Sequence, residues 1–169
     1  MPNQRPKVLY HASSNSEIEV FEPRREKVRD PEEGPVVFAT HDKALASAFL
    51  VRTDGSWVKI GRFTESGITT PWHFIASSRR RFMKSDFGGA IYYLPVDTFN
   101  NDSEKGMGSV EWVSRVPVKP VDKDLFESGF DAMRSLGVDV YFVSRRTFRK
   151  IDKSEDHGRD IIQSLRKES

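Results

Sequence analysis

Apolar and polar positions fall along this chain in short blocks whose period changes several times. The first block, Val8 to Tyr10, is a β-type run that ends in His11-Ala12-Ser13-Ser14-Asn15, the small polar residues of a turn. His11 is thereby placed at the C-terminal end of a strand. Ile18, Val20 and Phe21 follow in partial alternation, and Pro23 to Gly34 is so densely charged that it predicts a solvated loop over residues 23–34, a candidate lid. Pro35 introduces Val36-Val37-Phe38-Ala39-Thr40, an apolar run bounded by turn signals that predicts a buried strand. The period then becomes helical. Asp42 is a candidate N-cap for a helix carrying Ala44, Leu45, Ala48 and Phe49, and this unit closes before Asp54-Gly55.

Residues 56–63, with Trp57 and Ile60, predict a strand of imperfect alternation, and Pro71 to Ala76 predict another. A basic segment, Ser78 to Lys84, precedes Gly88-Gly89, which opens the strongest central-strand run, Ala90 to Leu94. Asp97 to Gly108 reads as a polar loop leading into a strand over Val110 to Val116, limited by Pro117 and Pro120. Asp122 is a candidate cap for a helix whose apolar stripe is Leu125, Phe126, Phe130, Met133 and Leu136, closed by Gly137. Val138 to Val143 predict a further strand, and residues 154–169, with Ile161, Ile162 and Leu165 on one face, a C-terminal helix or tail. There is no internal repeat and no linker. The expectation is one domain over residues 1–169, of α+β class, with mixed, mainly antiparallel sheets and a few flanking helices.

Composition narrows the function classes. A chain of 169 residues with 37% hydrophobic and 11% aromatic residues can bury a core, while 31% charged residues argue against a membrane-spanning protein. The 27 basic and 25 acidic residues nearly balance, at a net charge of +2, so composition alone does not single out nucleic acid. Zero cysteines remove disulfides, thiolate metal sites and cysteine nucleophiles. The four histidines show no HxH or HxxxH spacing, so no metal site is expected. No stretch of signal-peptide character begins the chain, which predicts a cytoplasmic location. No GxGxxG, GxxxxGK[ST] or GxSxG occurs, and ordinary dehydrogenases, P-loop ATPases and serine esterases drop out.

Three segments carry a resemblance: Leu9-Tyr10-His11-Ala12-Ser13, Val36-Val37-Phe38-Ala39-Thr40-His41-Asp42 with Ala44 and Ala48, and Glu111-Trp112-Val113-Ser114. Together they resemble the His-Tyr-Glu branch of the ADP-ribosyltransferase fold, over roughly residues 7–120. The resemblance implies an enzyme that takes NAD as substrate and breaks the nicotinamide–ribose bond. Glu111 would then stabilise the positive charge that builds on the ribose, and His11 would hydrogen-bond ribose hydroxyls. Tyr10, His11, Ser13, Phe38, Thr40 and Trp57 become the expected cofactor-binding set, with Phe38, Trp57 and Tyr10 as candidate aromatic walls for the nicotinamide ring. Three positions depart from the family pattern. Phe38 stands where a Tyr is usual, Ala12 where a Gly is usual, and Ser109 precedes Glu111 by two where many members carry Gln or Glu. The last departure makes an arginine acceptor the least favoured target.

Read without the resemblance, the same residues leave other roles open. His11 can serve its own turn, and Glu111 can be a solvent-facing strand residue beside an inward Trp112. Arg79-Arg80-Arg81, Arg145-Arg146 and Arg149-Lys150 either bind phosphates or form solvated faces. Two further functions therefore stand beside the transferase. One is a non-catalytic nucleotide or nucleic-acid binding module. The other is an RNA 2'-phosphotransferase-like enzyme, which needs Arg62, Arg79 or Arg115 to converge. The expected partners are NAD or a related nucleotide and a protein or nucleic-acid acceptor, with no membrane.

Overall fold

The computed structural model describes residues 5–25, 34–101 and 108–168, so the predicted charged loop at residues 23–34 lies outside the described residues except for its ends. Within these bounds, strand β1 (Val8–Ser13) leads to β2 (Val37–Thr40) and the short helix α1 (Lys43–Ala48). β3 (Val58–Gly61), the small hairpin β4 (Thr64–Glu65) and β5 (Ile68–Thr69), and β6 (His73–Ala76) follow. Helix α2 (Arg79–Ser85), β7 (Gly89–Pro95), β8 (Phe99–Asn101), a 3-10 turn (Gly108–Val110) and β9 (Glu111–Ser114) come next. The chain ends with β10 (Asp122–Phe126), α3 (Gly129–Ser135), β11 (Asp139–Phe142), α4 (Arg145–Lys153) and α5 (Arg159–Glu168).

Six strands form one sheet in the order β10-β7-β1-β2-β9-β8, all antiparallel, and three form a second in the order β11-β6-β3. The β11–β6 pair is parallel, because α2, β7 and much of the chain intervene between these two strands. The result is a single α+β domain with mainly antiparallel sheets and few helices, as the strand-rich pattern predicts. Among the described residues no helix is long and apolar enough to cross a membrane.

The layers follow from which faces are apolar. α1 is buried all along Leu45, Ala46, Ser47 and Ala48, because it lies between the two sheets. Its Ala46, with Leu50 and Ala132, packs on Ile91 and Tyr10 of the large sheet. Its Leu45 and Ala48 pack with Phe74, Ala76, Phe82 and Met133 against the small sheet. The far face of the small sheet is closed by Phe148, Ile151 and Ile162 of α4 and α5 on Ile75, so β6 is buried on both faces. Phe21, Val118 and Phe99 cover the far face of the large sheet over Leu9, Val37 and Tyr92. Phe82 is the pivot of the middle layer, with T-shaped ring contacts to Phe74 and Phe142 at centroid distances of 5.5 and 5.1 Å.

One predicted helix starts in the wrong place. Asp122 does not cap it: Asp122–Phe126 is an edge strand paired with β7 from Tyr93 to Gly89, and Leu125 is largely exposed rather than part of an apolar stripe. The helix begins six residues later than that cap implies, at Gly129, where Ser128 Oγ accepts from Asp131 N at 3.0 Å. Asp86 adds two further acceptors, from Gly129 N at 2.6 Å and Phe130 N at 3.0 Å. These three bonds satisfy amide groups that the first helical turn leaves without partners. Gly89 makes the neighbouring strand junction feasible, since at φ 140° a Cβ there would overlap the Ser13 carbonyl. Helices α2 and α4 and strand β8 are additional elements that the sequence pattern does not predict.

Candidate functional site

The centre of the large sheet has an opening. β1 pairs with β7 along its whole length, from Val8 to Ser13, but its pairing with β2 is confined to Tyr10 and Thr40. Beyond that point the two strands part. β2 in turn pairs fully with β9, and Thr40 stands opposite Glu111. Tyr10, Thr40 and Glu111 therefore form one row across three strands, on one face of the sheet.

Strict alternation sends His11 to the opposite face, the one that Phe21 covers. From there its imidazole reaches the edge of the opening, where Nδ1 lies 2.5 Å from the Phe38 carbonyl oxygen. A carbonyl only accepts, so Nδ1 carries the hydrogen of this bond. This bond satisfies a main-chain carbonyl where the ladder has opened. Phe21 backs the ring at a centroid distance of 4.7 Å, and Phe21 is itself fixed by paired main-chain bonds with Val118. The bond to the Phe38 carbonyl ties His11 to β2.

The opening contains a cavity of about 280 Å³ lined by Tyr10, His11 and Ala12 of β1, Phe38, Ala39 and Thr40 of β2, residues of α1, and Val110 and Glu111. A second cleft of about 490 Å³ continues on the other side of His11 and Phe38, and Ser13, Arg24 and Arg52 line it. His11 and Phe38 are common to both compartments. Among the candidate residues, Tyr10, His11, Phe38, Thr40 and Glu111 come together in the first compartment, and Ser13 joins His11 in the second.

Trp57 does not join them. At 4% exposure it packs with Leu45, Val58 and Phe82 in the middle core, and it borders a different groove, with Ser77 and Arg81. An aromatic side chain in an imperfectly alternating segment is readily placed on a ligand by sequence alone. Here core burial takes it instead. Arg62, Arg79 and Arg115 are likewise outside both compartments among the described residues. Arg62 lies over the Trp72 ring at 4.3 Å and 3.4 Å from Asp42, and Arg79 lies over the Phe142 ring at 5.2 Å.

Two supports of the site carry no sequence signal. Asn101 of β8 donates through Nδ2 to the main-chain carbonyls of Glu111 at 2.7 Å and Ser109 at 3.1 Å, fixing the turn that delivers Glu111 to its strand. Behind Tyr10, Lys43 Nζ donates to Tyr93 Oη at 2.7 Å and to Asp124 Oδ2 at 2.5 Å, and Tyr93 donates to the same carboxylate oxygen at 2.5 Å. Burial opposes the Lys43 charge, but the bonds to Asp124 and Tyr93 outweigh it and hold its pKa above the ordinary lysine value. The hydrogen bond from Lys43 leads the causes that hold Asp124 below the usual carboxylate range. Tyr93 meets Tyr10 edge to face at 5.1 Å, so this cluster sets the Tyr10 ring that borders the cavity.

The arrangement suits a planar, partly apolar ligand with a polar end. Phe38, Tyr10 and the small residues Ala12, Ala39 and Ala46 offer apolar walls, and Glu111 and His11 offer a carboxylate and an imidazole at the rim. No group of three or more His, Asp or Glu side chains able to hold a metal ion occurs among the described residues. Comparison with protein-family models, with curated proteins and with solved structures gives no match for this chain, so its function rests on the geometry of this cavity.

Proposed function

We propose that the chain is an NAD-dependent ADP-ribosyltransferase-like enzyme whose reaction takes place in the opening between β1 and β2. The observation that carries this reading is that His11 and Glu111, on strands separated by β2, line one cavity together with Tyr10, Phe38 and Thr40. Pockets for small ligands run from about 300 to about 1,000 Å³. The first compartment alone is at the low end of that range and suits a nicotinamide riboside. The second supplies room for the remaining nucleotide, and Arg24 and Arg52 on its wall, beside Glu19 and Glu22, offer guanidinium groups to its phosphates.

In the reaction the N-glycosidic bond breaks and nicotinamide leaves with the bonding electron pair. The ribose C1' takes up positive charge, and a water or acceptor nucleophile forms the new bond to it and releases a proton. The Glu111 carboxylate offsets the ribose charge as it develops, in the way paired carboxylates serve glycoside cleavage. His11 holds a ribose hydroxyl through Nε2, its Nδ1 hydrogen being committed to Phe38. Phe38 stacks without a hydroxyl, so ring orientation rests on packing rather than on a phenol hydrogen bond.

A non-catalytic nucleotide-binding module is the second reading, and the departures at Phe38 and Ala12 favour it. Both lie in the cavity wall, where a bulkier or less polar side chain weakens substrate alignment before it weakens binding. Incubation of the protein with NAD separates the two readings. Free nicotinamide, followed by chromatography, is expected to accumulate in proportion to protein concentration. Saturable NAD binding with no nicotinamide above the protein-free control would replace the enzyme by the binding module.

A further inference from the structure

Away from the cavity, two helices bring their basic residues to one groove. α4 carries Arg145, Arg146, Arg149, Lys150 and Lys153 on its exposed side, while its apolar Phe148 and Ile151 are buried beneath. Arg145 and Arg149, with Arg81, line a groove of about 460 Å³ that Ser77, Ser78 and Asp152 share. The groove runs out onto the open face of α4. Charge on this surface is mostly unbalanced. The one acid of α4, Asp152, pairs with Lys59, and Arg81 is 3.5 Å from Asp54. Among the described residues, none of the five cations of α4 forms an ion pair. Like charges held this close repel, and a polyanion relieves that repulsion.

The groove is also organised for phosphate. Arg81 lies over the Trp57 ring at 5.0 Å, which anchors the guanidinium at the groove beside its exposed partner Asp54. Guanidinium forks match the oxygens of a phosphodiester, and Ser78, whose Oγ accepts from Arg81 N, keeps its hydroxyl hydrogen to donate. A membrane surface fits less well, because the apolar side chains of α4 are spent in the core and none is left to insert. We propose that the groove between α2 and α4 and the outer face of α4 bind the phosphodiester backbone of a polynucleotide, at a site separate from the His11–Glu111 cavity. A helix of this length spans about 13 Å, enough for about four phosphates along one duplex strand.

Fluorescence anisotropy with a labelled single-stranded oligouridylate, and separately with a labelled DNA duplex, tests the proposal between about 50 and about 200 mM salt. Binding to either form is expected, with a log–log salt slope of about −3 to −4, and similar affinity for both forms marks backbone rather than base recognition. Arg145→Glu/Arg149→Glu is expected to weaken binding at least tenfold and to flatten the slope, and Lys150→Glu/Lys153→Glu to do so to a smaller degree. These side chains are exposed, so an unchanged thermal midpoint checks folding, and nicotinamide release stays at the parent level. Binding to neither polynucleotide, binding that both charge-reversal variants retain in full, or binding to phosphatidylserine-containing vesicles without polynucleotide binding would each overturn the proposal. Loss of nicotinamide release alone bears on the cavity and leaves this surface untouched.

Discussion

A Glu111→Gln protein is expected to fold as the parent does and to release nicotinamide from NAD at least about 100-fold more slowly, the usual scale for loss of one preorganised electrostatic group. Glutamine keeps the shape of the side chain, removes its charge and turns one accepting oxygen into a donor. The main-chain bonds that Asn101 makes to the Glu111 and Ser109 carbonyls do not involve the side chain and survive the change. The loss should therefore fall on kcat more than on NAD affinity, because the charge being offset exists only as the glycosidic bond breaks. Steady-state release assays at saturating NAD, with the thermal midpoint measured alongside, give both quantities. A variant that keeps full kcat removes Glu111 from the chemistry.

The second large effect concerns stability. His73 on β6 is 5% exposed, its Nδ1 has no hydrogen-bond partner among the described residues, and the ring sits against Phe63 and opposite Gly61, whose missing side chain makes room for it. Burial, with a smaller push from Arg166 against an opposing pull from Asp139, lowers its pKa to about 4 from the ordinary 6.5. Above the ordinary value the ring is neutral in both folded and unfolded chains and contributes no pH dependence. As the pH falls through that value the unfolded chain takes up a proton that the folded chain refuses until about pH 4. Stability should thus decline between those limits, by up to about 3 kcal/mol, and level off below. Urea unfolding at several pH values across this window measures the decline, and His73→Phe should remove this part of it. A wild-type curve flat across the window would mean that the ring is charged, or partnered, in the folded chain.

Strong local patterns account for what was legible. Val37–Thr40 and Ala90–Leu94 are buried on at least one face over their whole length and read as strands directly, and Asp42 does cap α1, accepting from Leu45 N at 3.1 Å. Short elements with few anchors did not read. α2 buries only Phe82, and α4 only Phe148 and Ile151, so neither shows a helical stripe. β10 was absorbed into a helix because Leu125 and Phe126 happen to extend the spacing of Phe130 and Met133, although Leu125 faces solvent. The site divides in the same way. Tyr10, His11, Phe38, Thr40 and Glu111 are on three strands whose adjacency is a property of sheet order, and it was the resemblance carried by their short motifs that nominated them. The parting of β1 from β2, the crossing of His11 to the Phe38 carbonyl and the support from Asn101 depend on contacts between distant segments, which no local period encodes.

Binding of NAD in the opening between β1 and β2 is the claim on which the rest depends. Titration of NAD into ¹⁵N-labelled Glu111→Gln protein, which should not consume the dinucleotide, reports it residue by residue in a two-dimensional amide spectrum. Saturable shifts are expected at Ala12, Ala39, Thr40 and Ala46 around the first compartment and at Ser13 and Arg52 around the second. Shifts confined to α4 and the groove beside it, or no shifts at millimolar NAD, would contradict the assignment of this cavity as the NAD site.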